Sequence, residues 1–140
     1  MHPQIPIRGL ILAGGAGRRV GNRDKGLLYW RGKPLIAHVV ERLRNQVDQL
    51  YISCNRNTPQ YRHFGLPLLQ DLREGYQGPL AGLESAIGPC GKSYLIVVPC
   101  DTPLLPEDLV PRLMQSVVGE EQDVSDISYV TDGVREHYLC

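Results

Sequence analysis

The chain has no excess of charge of either sign and no long apolar run. Its 15 Lys and Arg residues balance 15 Asp and Glu residues, so the formal net charge at pH 7 is zero. A nucleic-acid coat protein or a module that lies on a membrane would carry a basic excess, so we expect neither partner. No stretch approaches the ~18 apolar residues of a membrane span. The first four residues lack the charged and then apolar pattern of a secretion signal, so we expect a cytoplasmic protein.

Cysteine motifs are also missing. The four cysteines, at positions 54, 90, 100 and 140, form no C-x-x-C pair, which disfavours zinc knuckles and thioredoxin-like chemistry. In a reducing compartment they behave as small apolar residues. We interpret His38 and His63 in the same way, as packing or surface residues.

Two standard glycine motifs are absent from a loop that is nevertheless rich in glycine and cations. The loop follows the apolar run 7–12 and has the sequence AGGAGRRVGNRDKG over residues 13–26. A Walker A loop requires Ser or Thr after its lysine, whereas Lys25 is followed by glycine. A dinucleotide fingerprint requires glycine at the position of Val20, which disfavours a plain NAD-binding domain.

The same loop favours a polyphosphate site. Glycines let backbone N–H groups approach a ligand closely, and Arg18, Arg19, Arg23 and Lys25 add positive charge to the turn. A strand that ends in such a loop is typical of phosphate binding. The alternative is a glycine-rich surface turn with solvated basic residues.

Apolar runs alternate with amphipathic segments along the chain. We predict strands at 7–12, 50–54, 66–69 and 94–98, helices that begin at Pro34, Pro79 and Pro106, a short helical piece after Pro59, and a hairpin over 127–140. This alternation predicts one α/β domain over 1–140 with a mostly parallel sheet and right-handed crossovers.

Polar residues follow the predicted strands at the edge where such sheets bind ligands. They are the glycine loop, Asn55 with Arg56, Asp71, and Asp101. Asp101 leaves a buried strand, where a carboxylate is costly unless it meets a cation, and Mg²⁺ accepts one or two carboxylates together with phosphate oxygens. The alternatives are that Asp101 caps the helix at 106 and that Asp71 caps a loop.

The segment 78–82 is the second informative piece. Gly78 and Gly82 flank the start of a predicted helix, which presents free N–H groups and small side chains. A base or ribose fits against such a surface; the alternative is a close-packed helix entry.

Several motifs together resemble the signature of molybdenum cofactor guanylyltransferases, which are MobA-like nucleotidyltransferases. They are Leu12-Ala13-Gly14-Gly15 with Arg19, Gly21 and Asp24-Lys25-Gly26-Leu27-Leu28, then Gly32-Lys33-Pro34-Leu35, Asn55-Arg56, Gly78-Pro79-Leu80-Ala81-Gly82 and Pro99-Cys100-Asp101-Thr102-Pro103. The resemblance implies a Rossmann-like three-layer sandwich of the nucleotide-diphospho-sugar transferase type. It also implies transfer of GMP from GTP to the phosphate of molybdopterin or molybdenum-molybdopterin, with release of pyrophosphate.

The resemblance implies roles for individual residues. Arg19, Lys25 and Asp101 would be catalytic, with the two cations neutralising phosphates and Asp101 holding Mg²⁺. The nucleotide-binding residues would be Leu12, Ala13, Gly14, Gly15, Lys25, Asn55, Asp71, Gly78, Pro79, Leu80, Gly82 and Asp101. Other molybdenum cofactor biosynthesis proteins and molybdoenzyme chaperones are the implied protein partners, and we expect a monomer.

The chain departs from the family pattern at Ser53, where relatives can carry asparagine, and at Tyr138, where they tend to carry proline. We expect the domain to be incomplete at its C-terminus, with nucleotide binding better supported than turnover. The alternatives are a CTP-dependent molybdopterin cytidylyltransferase or another nucleotidyltransferase, and a truncated, non-catalytic GTP-binding module. The Leu-Ala-Gly-Gly and Gly-Pro-Leu-Ala-Gly segments favour guanine.

Overall fold

Four parallel strands form the sheet that positions the candidate site. The computed structural model describes residues 5–13, 19–20, 23–70, 93–118, 130–131 and 136–137. The ten strands in this part of the chain, in order, are β1 (Ile7–Leu12), β2 (Arg19–Val20), β3 (Arg23–Asp24), β4 (Tyr29–Trp30), β5 (Lys33–Pro34), β6 (Gln49–Ser53), β7 (Leu68–Leu69), β8 (Tyr94–Pro99), β9 (Val130–Thr131) and β10 (Glu136–His137). The parallel sheet has the order β7-β6-β1-β8, and the other strands pair as the short antiparallel ribbons β2–β3, β4–β5 and β9–β10.

Three α-helices are described, namely α1 (Leu35–Arg44), α2 (Thr58–Arg62) and α3 (Leu109–Val118). A 3-10 turn covers Lys25–Leu27. In α1 the buried residues Ile36, Val39, Val40 and Leu43 recur with helical spacing and form one face. Within the described residues, no helix is long and apolar enough to cross a membrane.

The main hydrophobic core lies where α1 and α3 pack on the sheet. It contains alternate residues of the central strands, such as Ile11, Ile52 and Val98, together with Leu43 and Leu109 of the helices. The opposite sheet face has a second cluster of buried residues, Leu10, Leu12, Tyr51 and Val97. The sheet is therefore apolar on both faces, as expected of parallel strands.

The strand order changes direction at β1. The chain runs outward from β1 to β6 and β7, and then crosses back to place β8 on the other side of β1. In such sheets ligands bind outside the carboxyl ends of the strands at the point where the order reverses. That point lies between the ends of β1 and β8, which are paired at Leu12 and Pro99.

The prediction of an α/β fold with a parallel sheet is confirmed. The first strand has its predicted bounds, the second strand begins and ends one residue earlier than predicted, the fourth extends one residue further, and the short helical piece near Pro59 is present. The third strand covers only Leu68–Leu69, and the last helix begins at Leu109 rather than Pro106. A hairpin is present near the C-terminus as β9 and β10, while the helix predicted from Pro79 lies outside the described residues.

Candidate functional site

Three strand ends lie level at the carboxyl edge of the sheet. The N–H of Ala13 donates to the carbonyl oxygen of Ser53 at 2.8 Å, and the N–H of Cys100 donates to the carbonyl oxygen of Leu12 at 3.2 Å. Ala13 follows β1 and Cys100 follows β8, so these two bonds continue the pairing of β1 with β6 and β8 one residue past the strand ends. The predicted nucleotide-binding residues Leu12 and Ala13 therefore lie at the centre of this edge, beside the residues that follow β6 and β8.

Asp101 lies at this edge, immediately after β8 and Cys100, and is partly exposed. The hydroxyl of Thr102 donates to the carbonyl oxygen of Pro99 at 3.3 Å, and the N–H of Leu105 donates to the carbonyl oxygen of Thr102 at 3.2 Å. Both bonds fix the turn that follows Asp101. The hypothesis that Asp101 caps the next helix is wrong, because α3 begins eight residues later.

The turn with Lys25 packs against the residue that precedes Asp101. Gly26 is buried, and a Cβ added there would lie 3.0 Å from both the Cβ and the Sγ of Cys100. A larger residue would force Cys100 to shift, so this close approach favours glycine in the turn. Lys25 is partly exposed, so its neighbour anchors the turn while Lys25 itself reaches solvent. The structure therefore brings together the turn Lys25–Leu27, here called the lysine turn, and the turn that begins at Asp101, here called the Asp101 turn.

A buried carboxylate lies on the other side of Lys25. Asp24 is 3 % exposed, and its Oδ2 accepts hydrogen bonds from Asn57 Nδ2 at 2.8 Å and Tyr61 Oη at 3.3 Å. Sequence reasoning did not include Asp24 among the site residues. A lone acid in a loop of cations was the available signal, because a carboxylate that is buried requires partners.

Burial and the charge of Asp24 raise the pKa values of two neighbouring side chains, Cys54 and Tyr61. Burial, reinforced by the Asp24 carboxylate, raises the pKa of the Cys54 thiol to about 11. The same two causes raise the pKa of Tyr61 well above its ordinary value. The thiol stays protonated and is a poor nucleophile at neutral pH, and the phenol stays a hydrogen-bond donor to Asp24.

Two histidines lie where sequence reasoning expected them. His38 is partly buried, and its Nε2 lies 2.7 Å from the carbonyl oxygen of Trp30, to which it donates in the tautomer protonated at that nitrogen. The His38 and Trp30 rings also meet edge to face, with centroids 5.0 Å apart. His63 is exposed. The interpretation of both histidines as packing or surface residues is consistent with these positions, since His38 packs against Trp30 and His63 lies at the surface.

The remaining predicted site residues divide into two groups. Asn55 and Arg56 follow β6 and are partly buried, whereas Ser53 is buried within β6. Arg19 begins β2, and its backbone is paired with that of Asp24. The other predicted residues, Gly14, Gly15, Asp71, Gly78, Pro79, Leu80 and Gly82, lie outside the described residues. Their roles stay predictions, as does the role of the Arg19 guanidinium.

Asp101 offers a single, partly exposed carboxylate, which is a ligand type that Mg²⁺ accepts. Over the described ranges, no group of three or more His, Cys, Asp or Glu residues is arranged to hold a metal. Mg²⁺ keeps several waters and is commonly bound by one or two carboxylates plus phosphate oxygens, so the chemistry of Asp101 is compatible with this ion.

Comparison with known proteins identifies the family of the chain. The model of the MobA-like NTP transferase domain matches residues 9–140. A molybdenum cofactor guanylyltransferase of Shewanella loihica is 46 % identical over 136 residues, which are 97 % of this chain and 67 % of the relative. A molybdenum cofactor guanylyltransferase of Mannheimia succiniciproducens is 44 % identical over 95 % of this chain and 68 % of its own length. The chain thus spans about two thirds of the length of the curated relatives it matches.

Solved structures share the fold. The molybdopterin-guanine dinucleotide biosynthesis protein A of Archaeoglobus fulgidus superposes with a TM-score of 0.60 at 23 % identity, over 80 % of this chain and 56 % of that protein. A CMP:2-keto-3-deoxy-manno-octonic acid synthetase complexed with CTP gives a TM-score of 0.65 at 21 % identity, over 82 % of this chain and 47 % of the synthetase. The match over 132 of 140 positions decides the assignment: the chain belongs to the family of MobA-like NTP transferase domains.

Proposed function

We propose that this chain binds GTP with Mg²⁺ at the carboxyl edge of its sheet. There it transfers GMP to the terminal phosphate of molybdopterin or molybdenum-molybdopterin. The observation that supports this most is that the lysine turn and the Asp101 turn meet where the strand order reverses. The curated relatives are named molybdenum cofactor guanylyltransferases, which supports guanylyl transfer in the synthesis of this cofactor.

The nucleotide would lie across the ends of β1 and β8. Leu12 and Ala13 offer backbone groups at the centre of the edge, and Asn55 borders it on the β6 side. The glycine loop after Ala13 would complete the contacts to base and ribose, together with Asp71 and segment 78–82. This arrangement needs close backbone approach, which the glycines of those segments permit.

The transfer is a direct displacement at phosphorus. An oxygen of the acceptor phosphate forms a bond to the α-phosphorus of GTP, and the bond from that phosphorus to the oxygen bridging to the β-phosphate breaks. Pyrophosphate leaves with that bridging oxygen, so no covalent intermediate with the protein is required. The protein's part is to position the reactants and to neutralise the charge that grows on the leaving oxygens.

Lys25 and Asp101 divide this task. The Lys25 ammonium, on the turn fixed against Cys100, would face the β- and γ-phosphates and favour the leaving pyrophosphate, with Arg19 as a second cation. Asp101 would hold Mg²⁺, which when bound supplies a Lewis acid to the phosphate oxygens. Both side chains are partly exposed, as groups that meet a ligand must be.

Three parts of this proposal rest on expectation from sequence alone. A cytoplasmic location, the monomeric state, and the protein partners among cofactor biosynthesis proteins and molybdoenzyme chaperones stay predictions. None of them is needed for the chemistry at the carboxyl edge.

Substitution of Asp101 tests the proposal. Asp101→Ala is expected to lower Mg²⁺-dependent GMP transfer by about a hundredfold or more, while GTP affinity falls less, because charge stabilisation matters most in the transition state. Transfer is measured by the formation of molybdopterin guanine dinucleotide and pyrophosphate, and affinity by calorimetry with and without EDTA. Asp108→Asn is the matched control, because Asp108 is exposed and pairs with Arg112 at the start of α3.

Each outcome of this experiment has a definite meaning. Retained transfer in Asp101→Ala removes that residue from the metal site. Tighter binding of CTP than GTP overturns the base assignment in favour of cytidylyl transfer. GTP binding without transfer by the unaltered chain identifies a nucleotide-binding module without activity.

A further inference from the structure

Asp24 has an unusual environment for a charged residue. Among the charged side chains in the described ranges it alone is almost fully buried, at 3 % exposure. It lies at the end of β3, directly before the turn that contains Lys25. A buried carboxylate is costly unless hydrogen bonds compensate it. It accepts hydrogen bonds from Asn57 and Tyr61, which are 33 and 37 residues further along the chain.

Asn57 binds Asp24 although its backbone conformation and its missing helix cap are both locally unfavourable. Its backbone is left-handed, with φ at 53°, a conformation that asparagine tolerates better than most residues. It also stands at the N-cap of α2, yet its side chain makes no capping hydrogen bond to that helix. An asparagine at this position usually caps the helix, so the amide has been diverted from a local role to a tertiary one. Such diversion is typical of functional sites.

Tyr61 completes the pocket for the carboxylate. Its side chain is fully buried in the main core, and its hydroxyl donates to the same Oδ2 that Asn57 reaches. The ring cannot shift without disturbing the core, because buried side chains are closely packed. The carboxylate is therefore tied to α2, the helix that follows β6.

The other side of the turn is tied to β8. Gly26 packs on Cys100, and the N–H of Leu28 donates to the carbonyl oxygen of Lys25 at 3.1 Å. Lys25 is thus the partly exposed residue between two anchors, Asp24 toward β6 and Gly26 toward β8. The partners of the two anchors follow β6 and β8, the strands that flank β1 in the sheet.

We propose that Asp24 is a positioning residue for guanylyl transfer: held by Asn57 and Tyr61, it fixes the backbone of Lys25 so that the ammonium meets the phosphates of the nucleotide. This inference rests on the proposed function. Asp24 does not touch the substrate; it acts through Lys25. Because a misplacement of about 1 Å can cost roughly a hundredfold in rate, an anchor outside the ligand contacts has a measurable effect.

Variants of the two donors test the anchor without deleting the buried charge. Asn57→Gly removes the amide while keeping a residue that adopts positive φ freely. Tyr61→Phe removes only the hydroxyl. Tyr51→Phe is the matched control, because Tyr51 is also buried but belongs to the second cluster on the opposite face of the sheet. Asp24→Asn keeps the shape of the side chain and removes its charge.

Two measurements distinguish positioning from general stability. The first measurement is kcat/KM for GTP with Mg²⁺. Asn57→Gly is expected to lower kcat/KM by roughly tenfold to a hundredfold, and Tyr61→Phe and Asp24→Asn also lower it. The control Tyr51→Phe leaves kcat/KM unchanged. In a Lys25→Ala background, Asn57→Gly is expected to cause no further loss, because the residue through which it acts is gone. Losses that multiply in the double variant overturn the proposal.

The second measurement is independent of activity. Amide hydrogen exchange of the peptide that spans 24–28 is expected to be faster in Asn57→Gly and Asp24→Asn and unchanged in Tyr51→Phe. Unchanged exchange in Asn57→Gly refutes the anchor even if GMP transfer is observed. If the unaltered chain transfers no GMP, the proposed function fails, whereas the exchange rates still decide whether Asp24 holds the turn.

Discussion

Two aspartates lie at opposite edges of the sheet and have opposite surroundings. At the amino edge, the Oδ2 of the exposed Asp48 accepts a hydrogen bond from the N–H of Ile7 at 2.7 Å, and the Asp48 N–H donates to the Ile7 carbonyl at 2.7 Å. At the carboxyl edge, Asp24 is buried and is bound by side chains from α2. The first aspartate joins two backbone segments, whereas the second fixes a neighbouring residue that faces solvent.

The difference separates structural from functional use of the same side chain. The amino edge is closed by exposed polar contacts that solvent could largely replace. The carboxyl edge contains a buried charge, a left-handed asparagine and a glycine in close contact with a cysteine. Each of these features has a cost, and together they determine where Lys25 lies. The comparison predicts that substitutions at the carboxyl edge affect chemistry and those at the amino edge affect stability.

The largest effect is expected from Lys25→Ala. Loss of a fixed positive charge that faces the phosphates lowers GMP transfer by about a hundredfold to a thousandfold, and weakens GTP binding more than GMP binding. Because Lys25 is partly exposed, the thermal midpoint changes little. Steady-state kinetics and calorimetry with both nucleotides measure these effects. Arg112→Ala, which removes an exposed cation from α3, is the control, and equal losses for GTP and GMP contradict the assignment.

The second effect concerns the contact between the lysine turn and β8. Gly26→Ala places a Cβ 3.0 Å from the Cβ and Sγ of Cys100, and the Cβ of Cys100 cannot rotate away from it. We expect the free energy of unfolding to fall by about 1–3 kcal/mol, as is typical of overpacking, and GTP affinity to fall with it. Urea denaturation and calorimetry on the folded protein measure the two effects separately.

Gly9→Ala, within β1 and away from the carboxyl edge, is the control for this substitution. The added Cβ would lie 2.8 Å from Cδ1 of Leu50 and 3.3 Å from Cδ2 of Leu43, which are the ends of flexible side chains. It is expected to destabilise the fold as well, but to leave the GTP affinity of the folded protein unchanged. GTP affinity that survives Gly26→Ala would show that the Cys100 contact does not position the site.

The sequence predicted the elements that local patterns determine. The runs 7–12 and 94–98 are almost continuously apolar, and their strands have the predicted bounds to within one residue. Helix α1 follows from helical spacing of its apolar residues after Pro34. Lys25 and Asp101 were proposed as site residues in the same way, because each lies in a polar segment that follows a buried strand, and their roles stay predictions.

The start of α3 depends on distant residues and was therefore predicted wrongly. Gln46 Nε2 donates to the carbonyl oxygen of Pro106 at 3.0 Å, and Gln46 Oε1 accepts from the N–H of Val110 at 2.8 Å. Arg42 donates to the carbonyl oxygen of Leu105 at 3.1 Å. These side chains of the α1 region are 60 or more residues away and hold the segment before Leu109 in a non-helical conformation.

Asp24 was missed for the same reason. Its neighbours in the sequence are cations and glycines, which indicate a phosphate loop, and a lone acid among them is only a weak signal of burial. Its donors, Asn57 and Tyr61, come from a helix that follows the next strand of the sheet. Local patterns thus suggested the candidate ligand-binding residues, whereas only tertiary contacts revealed the residue that we propose positions one of them.

The smallest effect is expected from Asp48→Ala at the amino edge. The substitution removes one hydrogen bond to the N–H of Ile7 at an exposed position, so the free energy of unfolding falls by about 1 kcal/mol. Asp48→Asn retains an acceptor oxygen and recovers most of that loss, and both variants transfer GMP at the rate of the unaltered chain. Urea denaturation and the transfer assay measure the two quantities. Weaker GTP binding by folded Asp48→Ala would mean that the two edges communicate through β1, and that the division between a structural and a functional edge does not hold.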